Sequence, residues 1–198
     1  MASGLLHRSL VTTLPPEVAV RGPLEARQVL LEHQVLHNVV RLPQRIANAD
    51  VLPTALGLTT KDCAAVRCYR TDVGPVAAIV SAGRWPDAAL LMAALAVHSP
   101  FVTELRQATR DEVNADTDYQ AGLVSPLALP CSIVLLADVR LLRSPVVYLP
   151  TGDPGTALGM GTRDLLAVTG AKLSVLTRQA PEDIAPEIVP QRPPAWAS

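Results

Sequence analysis

The sequence predicts a single α+β domain with a mixed, largely antiparallel sheet and short surrounding helices. Three observations carry that expectation. Short strand-like runs alternate irregularly with short helical segments, and no βαβ period repeats. Two of those runs, 62–70 and 76–82, flank a Thr-Asp-Val-Gly turn, which reads as a hairpin and so as antiparallel pairing. Hydrophobic residues make up 49% of the 198-residue chain but aromatics only 3%, so one aliphatic core is expected.

The elements follow in order. Residues 1–22 have no clear period and contain Pro15-Pro16, so they read as an N-terminal arm. From Pro23 a helix is expected, because proline suits a first turn and Leu24, Leu31 and Val35 recur at roughly helical spacing. A short strand at 37–42 comes next. Asn48 or Asp50 then caps a short helix that runs through Leu56 and stops at Gly57. After the hairpin, Pro86-Asp87 opens an apolar helix over 87–97. A strand is expected over 101–108 and a helix over 109–116, with Thr109 as cap and Glu112 at the capping-box position. Segments 132–138, 144–150 and 157–161 read as strands, 162–170 as a short helix, and 171–177 as a last strand or helix end. The domain is expected to span 23–179. Five prolines fall within 180–198, so that stretch reads as an extended Pro-rich tail.

Composition narrows the partners. Net charge is −1, which supplies no bulk attraction to nucleic acid; DNA is not expected, and any RNA contact must be local. The three cysteines have no metal-ligand spacing and cannot all pair, which suits a reducing compartment. His7 and Arg8 interrupt what would be a signal peptide's apolar region. The longest clean apolar run, 88–97, is about half a membrane span. A cytoplasmic protein without membrane contact is expected.

Common sites fit poorly. His33 and His37 are four apart, but no Glu follows the first, as a zincin would require. The glycine-rich stretch 151–161 lacks the Gly-Lys-Ser/Thr ending of a phosphate loop, and no Gly-x-Ser-x-Gly elbow occurs. Two features are less ordinary. Arg67 sits inside an apolar strand, where it either reaches solvent or lines a cleft, because unpaired burial is costly. The segment DYQAGLVSPLAL (118–129) combines Gly122, Ser125 and Pro126 with buried-type residues, forming a stiff apolar loop rather than a helix or central strand.

Taken in order, the segments resemble the YbaK family, related to the editing insertion of prolyl-tRNA synthetase. VLHNVVRLPQRIANADVLPTALGL is similar to its opening strand and helix, and CAAVRCYRTDVGPVAAIVSAGR to its central hairpin. ELRQATRDEVNADTDYQAGLVSPLAL resembles its helix and Gly-x-x-x-Pro loop, here Gly122 to Pro126. SIVLLADVRLL, VVYLPTGDPG and TRDLLAVTGAKLSVLT follow in family order, so the likeness covers about 30–177.

The resemblance implies a trans-editing deacylase of translation fidelity, hydrolysing the ester of a mischarged small amino acid such as Cys or Ala at the CCA end of tRNA. It implies no metal or organic cofactor. The catalytic pair it implies is Arg67 and Gly122, with Gly122 N–H facing the scissile carbonyl. Tyr69, Ser125, Pro126, Asp138, Thr151 and Gly152 are its implied substrate-binding residues. An aminoacyl-tRNA synthetase is a second implied partner. Family members carry lysine where Arg67 stands; arginine keeps the charge but cannot act as a base. Asp118, Leu123 and Ala128 stand where the family often has glycine; the last two are expected to reshape the pocket and Asp118 to place a negative charge at its rim. The competing reading is a catalytically weakened member that binds tRNA or a synthetase.

Overall fold

Local signals set most element ends in the computed structural model, which describes residues 21–178. The expected tail over 180–198 and all of the expected arm except Arg21 and Gly22 lie outside the described residues. Helix α1 (Pro23–Glu32) starts on its proline, and Glu25 reaches back to accept the Gly22 N–H at 2.9 Å. It stops three residues before Val35. Gln34 adopts a left-handed conformation (φ 55°), and Val35 N–H closes onto the Leu30 carbonyl at 2.9 Å. The buried face is Ala26 and Leu30, one turn apart; Leu24 and Leu31, which suggested the helix, are exposed.

Strand β1 (His37–Arg41) follows, then a 3₁₀ turn (Ala49–Val51) capped by Asn48, and α2 (Leu52–Leu56) with Gly57 left-handed at its end. The hairpin is β2 (Ala64–Thr71) and β3 (Gly74–Ser81), antiparallel along its whole length. Asp87 caps α3 (Ala88–His98), taking the N–H groups of Ala89 and Leu90; such a cap is worth about 1 kcal/mol. Strand β4 is only Leu105–Gln107, shorter than the run that suggested it. Asp72 takes the N–H groups of Thr103 and Glu104 instead, holding that part as a loop. Helix α4 (Arg110–Thr117) has the expected capping box, and α5 (Thr162–Thr169) ends at left-handed Gly170.

The remaining strands are β5 (Val134–Asp138), β6 (Val146–Pro150), β7 (Thr156–Gly161) and β8 (Lys172–Ser174). They divide the pairing between two sheets. One is antiparallel in the order β1-β7-β6; the other runs β4-β2-β3-β5-β8, with β5 parallel to both its neighbours. A 3₁₀ turn (Val139–Arg143) carries the chain from one sheet to the other, and a bridge between Cys63 and Tyr148 joins them. The core is aliphatic, with Ile79, Leu136, Leu141, Leu149 and Leu158 all buried. Among the described residues no helix is long and apolar enough to cross a membrane.

Candidate active site

A gap in strand pairing creates the candidate site. Strand β4 pairs with β2 only at Tyr69–Thr71, and Ala108 N–H then donates to the Cys68 carbonyl at 3.0 Å before the chain turns into α4. The two-residue period of a strand aims the Val66 N–H and C=O at the same edge, where β4 has already ended. A cavity of about 240 Å³ lies there, with Val66, Arg67, Cys68 and Gly122 in its wall.

Arg67 is 8% exposed, and its charge is held from three directions. Nη2 donates to Asp50 Oδ1 at 2.5 Å and Nε to the Arg84 carbonyl at 3.0 Å. The guanidinium carbon lies 4.1 Å from the centroid of the Trp85 ring, an interaction worth about 0.5–2 kcal/mol. Asp50 is itself placed by local structure. Its N–H is taken by the Asn48 cap at 3.0 Å, and its Oδ1 also accepts Gly83 N–H at 2.7 Å.

The opposite wall is the loop after α4. Asp118 closes the helix in a left-handed conformation (φ 57°), and Asn114 Oδ1 takes the Ala121 N–H at 2.8 Å. Tyr119 is buried and donates its hydroxyl to the Leu127 carbonyl at 2.8 Å, which ties the loop's two ends together. Gly122 then sits at φ 91°, its carbonyl accepting Ala49 N–H at 2.9 Å. A Cβ there would stand 3.1 Å from the Ala47 carbonyl oxygen and 3.2 Å from Asn48 Cβ, so any side chain would press its neighbours aside in a conformation that already favours glycine. Among the described residues Gly122 N–H meets no protein acceptor.

Asn48, Trp85, Gln107 and Arg110 complete the polar lining, and Ala47, Ala108, Val113, Ala121 and Val124 the apolar part. Among the described residues no Asp, Glu or His lines the cavity. Its chemistry is therefore that of fixed donors and cations around a small apolar space. Asn48 and Asp50 were legible only as helix caps, and Trp85, Gln107 and Arg110 carried no signal of their own.

The structure thus brings Arg67 and Gly122 to one cavity, and it places the other six sequence-derived residues elsewhere. Tyr69 packs beneath α3 with Val76, Leu91 and Leu95. Ser125 is buried inside the loop and accepts Leu127 N–H at 3.4 Å. Pro126 faces a separate, larger cavity of about 580 Å³, lined by 126–131 and parts of α5, that contains neither Arg67 nor Gly122. Asp138 is consumed by Arg140 N–H and by the N–H and hydroxyl of Thr177. Thr151 bonds Thr156 across a turn at 2.6 Å, and Gly152 lies against the Arg21 carbonyl and the Tyr119 ring.

The three positions that depart from family glycine also act differently from expectation. Asp118 pairs with Arg21 at 3.2 Å, Leu123 is buried against Leu42, Ile46 and Leu52, and Ala128 faces the larger cavity. Asp118 and Ala128 are both left-handed (φ 57° and 56°), which is the physical reason glycine suits those places. Among the described residues no group of three or more His, Cys, Asp or Glu could hold a metal ion.

The sequence model of the aminoacyl-tRNA editing domain matches residues 44–168, which include both walls of the cavity. The chain belongs to the aminoacyl-tRNA editing domain family. Solved structures agree on the fold. One, described as a candidate trans-editing enzyme for prolyl tRNA synthetase, superposes with TM-score 0.67 at 23% identity, over 84% of this chain and 100% of that one. A hypothetical protein, APE2540, gives TM-score 0.69 at 20% identity, over 78% and 99%. No curated protein matches the chain.

In this editing domain burial keeps Cys63 and Cys68 protonated. The Cys68 thiol in the cavity wall is pushed up from 9.0 to about 12, mainly by burial and then by Asp116; Cys63 is likewise pushed up to about 12 by burial. A thiol nucleophile at neutral pH is thereby disfavoured. In the unfolded chain both thiols ionise near pH 9, so above that pH the unfolded state binds fewer protons and folding stability falls. Tyr119, pushed up from 10.0 to about 12 by burial, adds to the trend above pH 10. The melting temperature is expected to fall as pH rises through about 9–11, and Cys63→Ala or Cys68→Ala to flatten that fall. A melting temperature constant over this range would contradict the assignment.

Proposed function

We propose that this editing domain acts as a trans-editing deacylase, hydrolysing the ester between a small amino acid such as Cys or Ala and the CCA end of a tRNA. The observation that carries the reading is the meeting of Arg67 and Gly122 in one small cavity with no carboxylate or imidazole among its described lining residues. Water attacks the ester carbonyl, charge gathers on the carbonyl oxygen, and the C–O bond to the ribose breaks. Gly122 N–H is the donor for the developing oxyanion, and Arg67 supplies a pre-placed positive charge to the same atom or to the terminal phosphate. Arg67 cannot take the water's proton. With no protein base among the described lining residues, the vicinal ribose hydroxyl accepts it and passes a proton to the departing ribose oxygen.

About 240 Å³ is small beside an ordinary ligand cavity, and its alanine and valine walls suit a short apolar side chain. That shape supports a size sieve which admits Ala or Cys and excludes bulkier residues. Ser125 and Pro126 serve the site by stiffening the Gly122 loop. A second reading is favoured by the engagement of Arg67 with Asp50, Arg84 and Trp85: the cation acts as a strut, and the protein binds tRNA or a synthetase without turnover. Cys-, Ala- and Ser-charged tRNAs separate the two. Release of at least one amino acid well above the buffer rate is expected. Equal rates with and without protein, together with retained binding of an uncleavable aminoacyl-tRNA analogue, would replace the deacylase with the binding module.

A further inference from the structure

Two cations stand in the wall of the cavity, Arg67 and Arg110, and their surroundings differ. Arg67 is buried, its guanidinium shared among the Asp50 carboxylate, the Arg84 carbonyl and the Trp85 ring. Arg110 is exposed, and among the described residues its side chain has no hydrogen bond or ion pair. Two of the three carboxylates of α4 are taken: Glu112 accepts from Arg106 and Thr109, and Asp116 pairs with Arg70. The third, Asp111, is the next residue, and helical neighbours one apart do not face each other. The helix itself gives no reason for an arginine here. Arg110 is its first residue after the Thr109 cap, where the macrodipole favours an acid and disfavours a cation. Val113 and Asn114, three and four residues on, share its face. Val113 lines the same cavity, and Asn114 holds the Ala121 N–H beside Gly122.

A substrate for this cavity carries an anion at a set place. In an aminoacylated terminal nucleotide the ester and the 5′-phosphate sit on one ribose, joined through C4′ and C5′. When the ester enters between Arg67 and Gly122, the phosphate stays at the mouth. A phosphodiester is an anion at neutral pH, and an arginine fork can meet it with two parallel N–H donors. A pinned guanidinium suits a reacting atom at one position; an exposed one can follow a phosphate that arrives on a jointed backbone. We infer that Arg110 is the phosphate-binding residue of the site. Its guanidinium takes the 5′-phosphate of the terminal nucleotide, and Arg67 is left to the ester carbonyl. The inference rests on the editing reading above and divides between two residues the roles that reading leaves open at Arg67. Arg110 does not touch the reacting atoms in this arrangement. It positions the ester and selects a nucleotide ester over a simple amino-acid ester.

Uncleavable analogues test the phosphate contact apart from hydrolysis. The probes are the alanyl and cysteinyl amides of 3′-amino-3′-deoxyadenosine, each with a free 5′-hydroxyl or with a 5′-methyl phosphate diester. Isothermal titration calorimetry with the full chain reads their affinities. The wild-type chain is expected to prefer the phosphate diester by roughly tenfold. Arg110→Gln should bring that preference close to one, and Arg110→Lys should keep most of it. Arg110 is exposed on the first turn of α4, so both variants are expected to fold, and the lysine variant keeps the test intact should the glutamine variant fail. In steady-state deacylation Arg110→Gln should act mainly on KM, whereas Arg67→Met should act mainly on kcat. Absence of a phosphate preference in the wild-type chain, including no binding of any analogue, overturns the inference. A preference that survives in Arg110→Gln and is lost in Arg67→Met overturns it too, and gives the phosphate to Arg67. Single-turnover deacylation of aminoacyl-tRNA by the wild-type chain separates the two readings. Turnover without a phosphate preference removes the Arg110 contact and keeps the deacylase; no turnover with an Arg110-dependent preference does the reverse.

Discussion

Arg67→Met is expected to lower the single-turnover rate of deacylation by roughly 100-fold or more while leaving the domain folded. Methionine fills much of the slot of the arginine stem without its charge. Asp50 loses one partner but keeps Gly83 N–H and remains partly exposed, so the stability loss should be about 1–3 kcal/mol rather than that of a stranded buried ion. Arg67→Lys sharpens the result. Lysine keeps a point charge but cannot reproduce the fork that reaches both Asp50 and the Arg84 carbonyl while covering Trp85. Activity retained in the lysine variant and lost in the methionine variant would assign the work to charge alone. Loss in both would assign it to the fixed guanidinium. A methionine variant within threefold of wild type would make Arg67 a strut and favour the binding module.

Much of the fold was legible because it is written locally. Thr109 with Glu112, Asp87 before an apolar run, and Gly57 after one each set a helix end through bonds that span only a few residues. The hairpin was legible for the same reason. Local patterns misled where a distant group intervened. Asp72 captures Thr103 and Glu104 and shortens β4, and Gln34 turns left-handed and ends α1 early. The separation into two sheets had no local sign, since it depends on β6 leaving β5 for β7.

The site divides along the same line. A charged residue in an apolar strand and a Gly-x-x-x-Pro loop were visible, and the fold brings Arg67 and Gly122 to one cavity. The groups that fix Arg67 come from 17 residues away on either side, and nothing in the sequence joins Asp50 to Arg84. Asp138 and Thr151 were implied by the family resemblance, with no pattern of their own in the sequence. Their partners, Thr177 and Thr156, make them internal ties instead.

Two glycines with nearly equal φ should respond in opposite ways to the same substitution. At Gly122 (φ 91°) an added methyl stands 3.1 Å from the Ala47 oxygen and 3.2 Å from Asn48 Cβ, a crowding that small shifts relieve. Backbone strain and that shift together should cost about 1–3 kcal/mol. The same shift moves the Gly122 N–H and the Asn48 wall, so the rate per folded molecule should fall by roughly tenfold or more. At Gly152 (φ 92°) the methyl stands 2.4 Å from the Arg21 oxygen and 2.8 Å from the Tyr119 ring, contacts that real structures do not tolerate. The cost should be about 3 kcal/mol or more, seen as a lower melting temperature and a smaller folded yield. Gly152 does not line the cavity, so what folds should keep most of its rate. Melting temperatures and active-site-titrated rates for Gly122→Ala and Gly152→Ala check both halves. Greater damage to stability at Gly152 and to rate at Gly122 is the expected crossing. The opposite crossing would move the oxyanion donor away from the Gly122 loop and toward the β6–β7 turn.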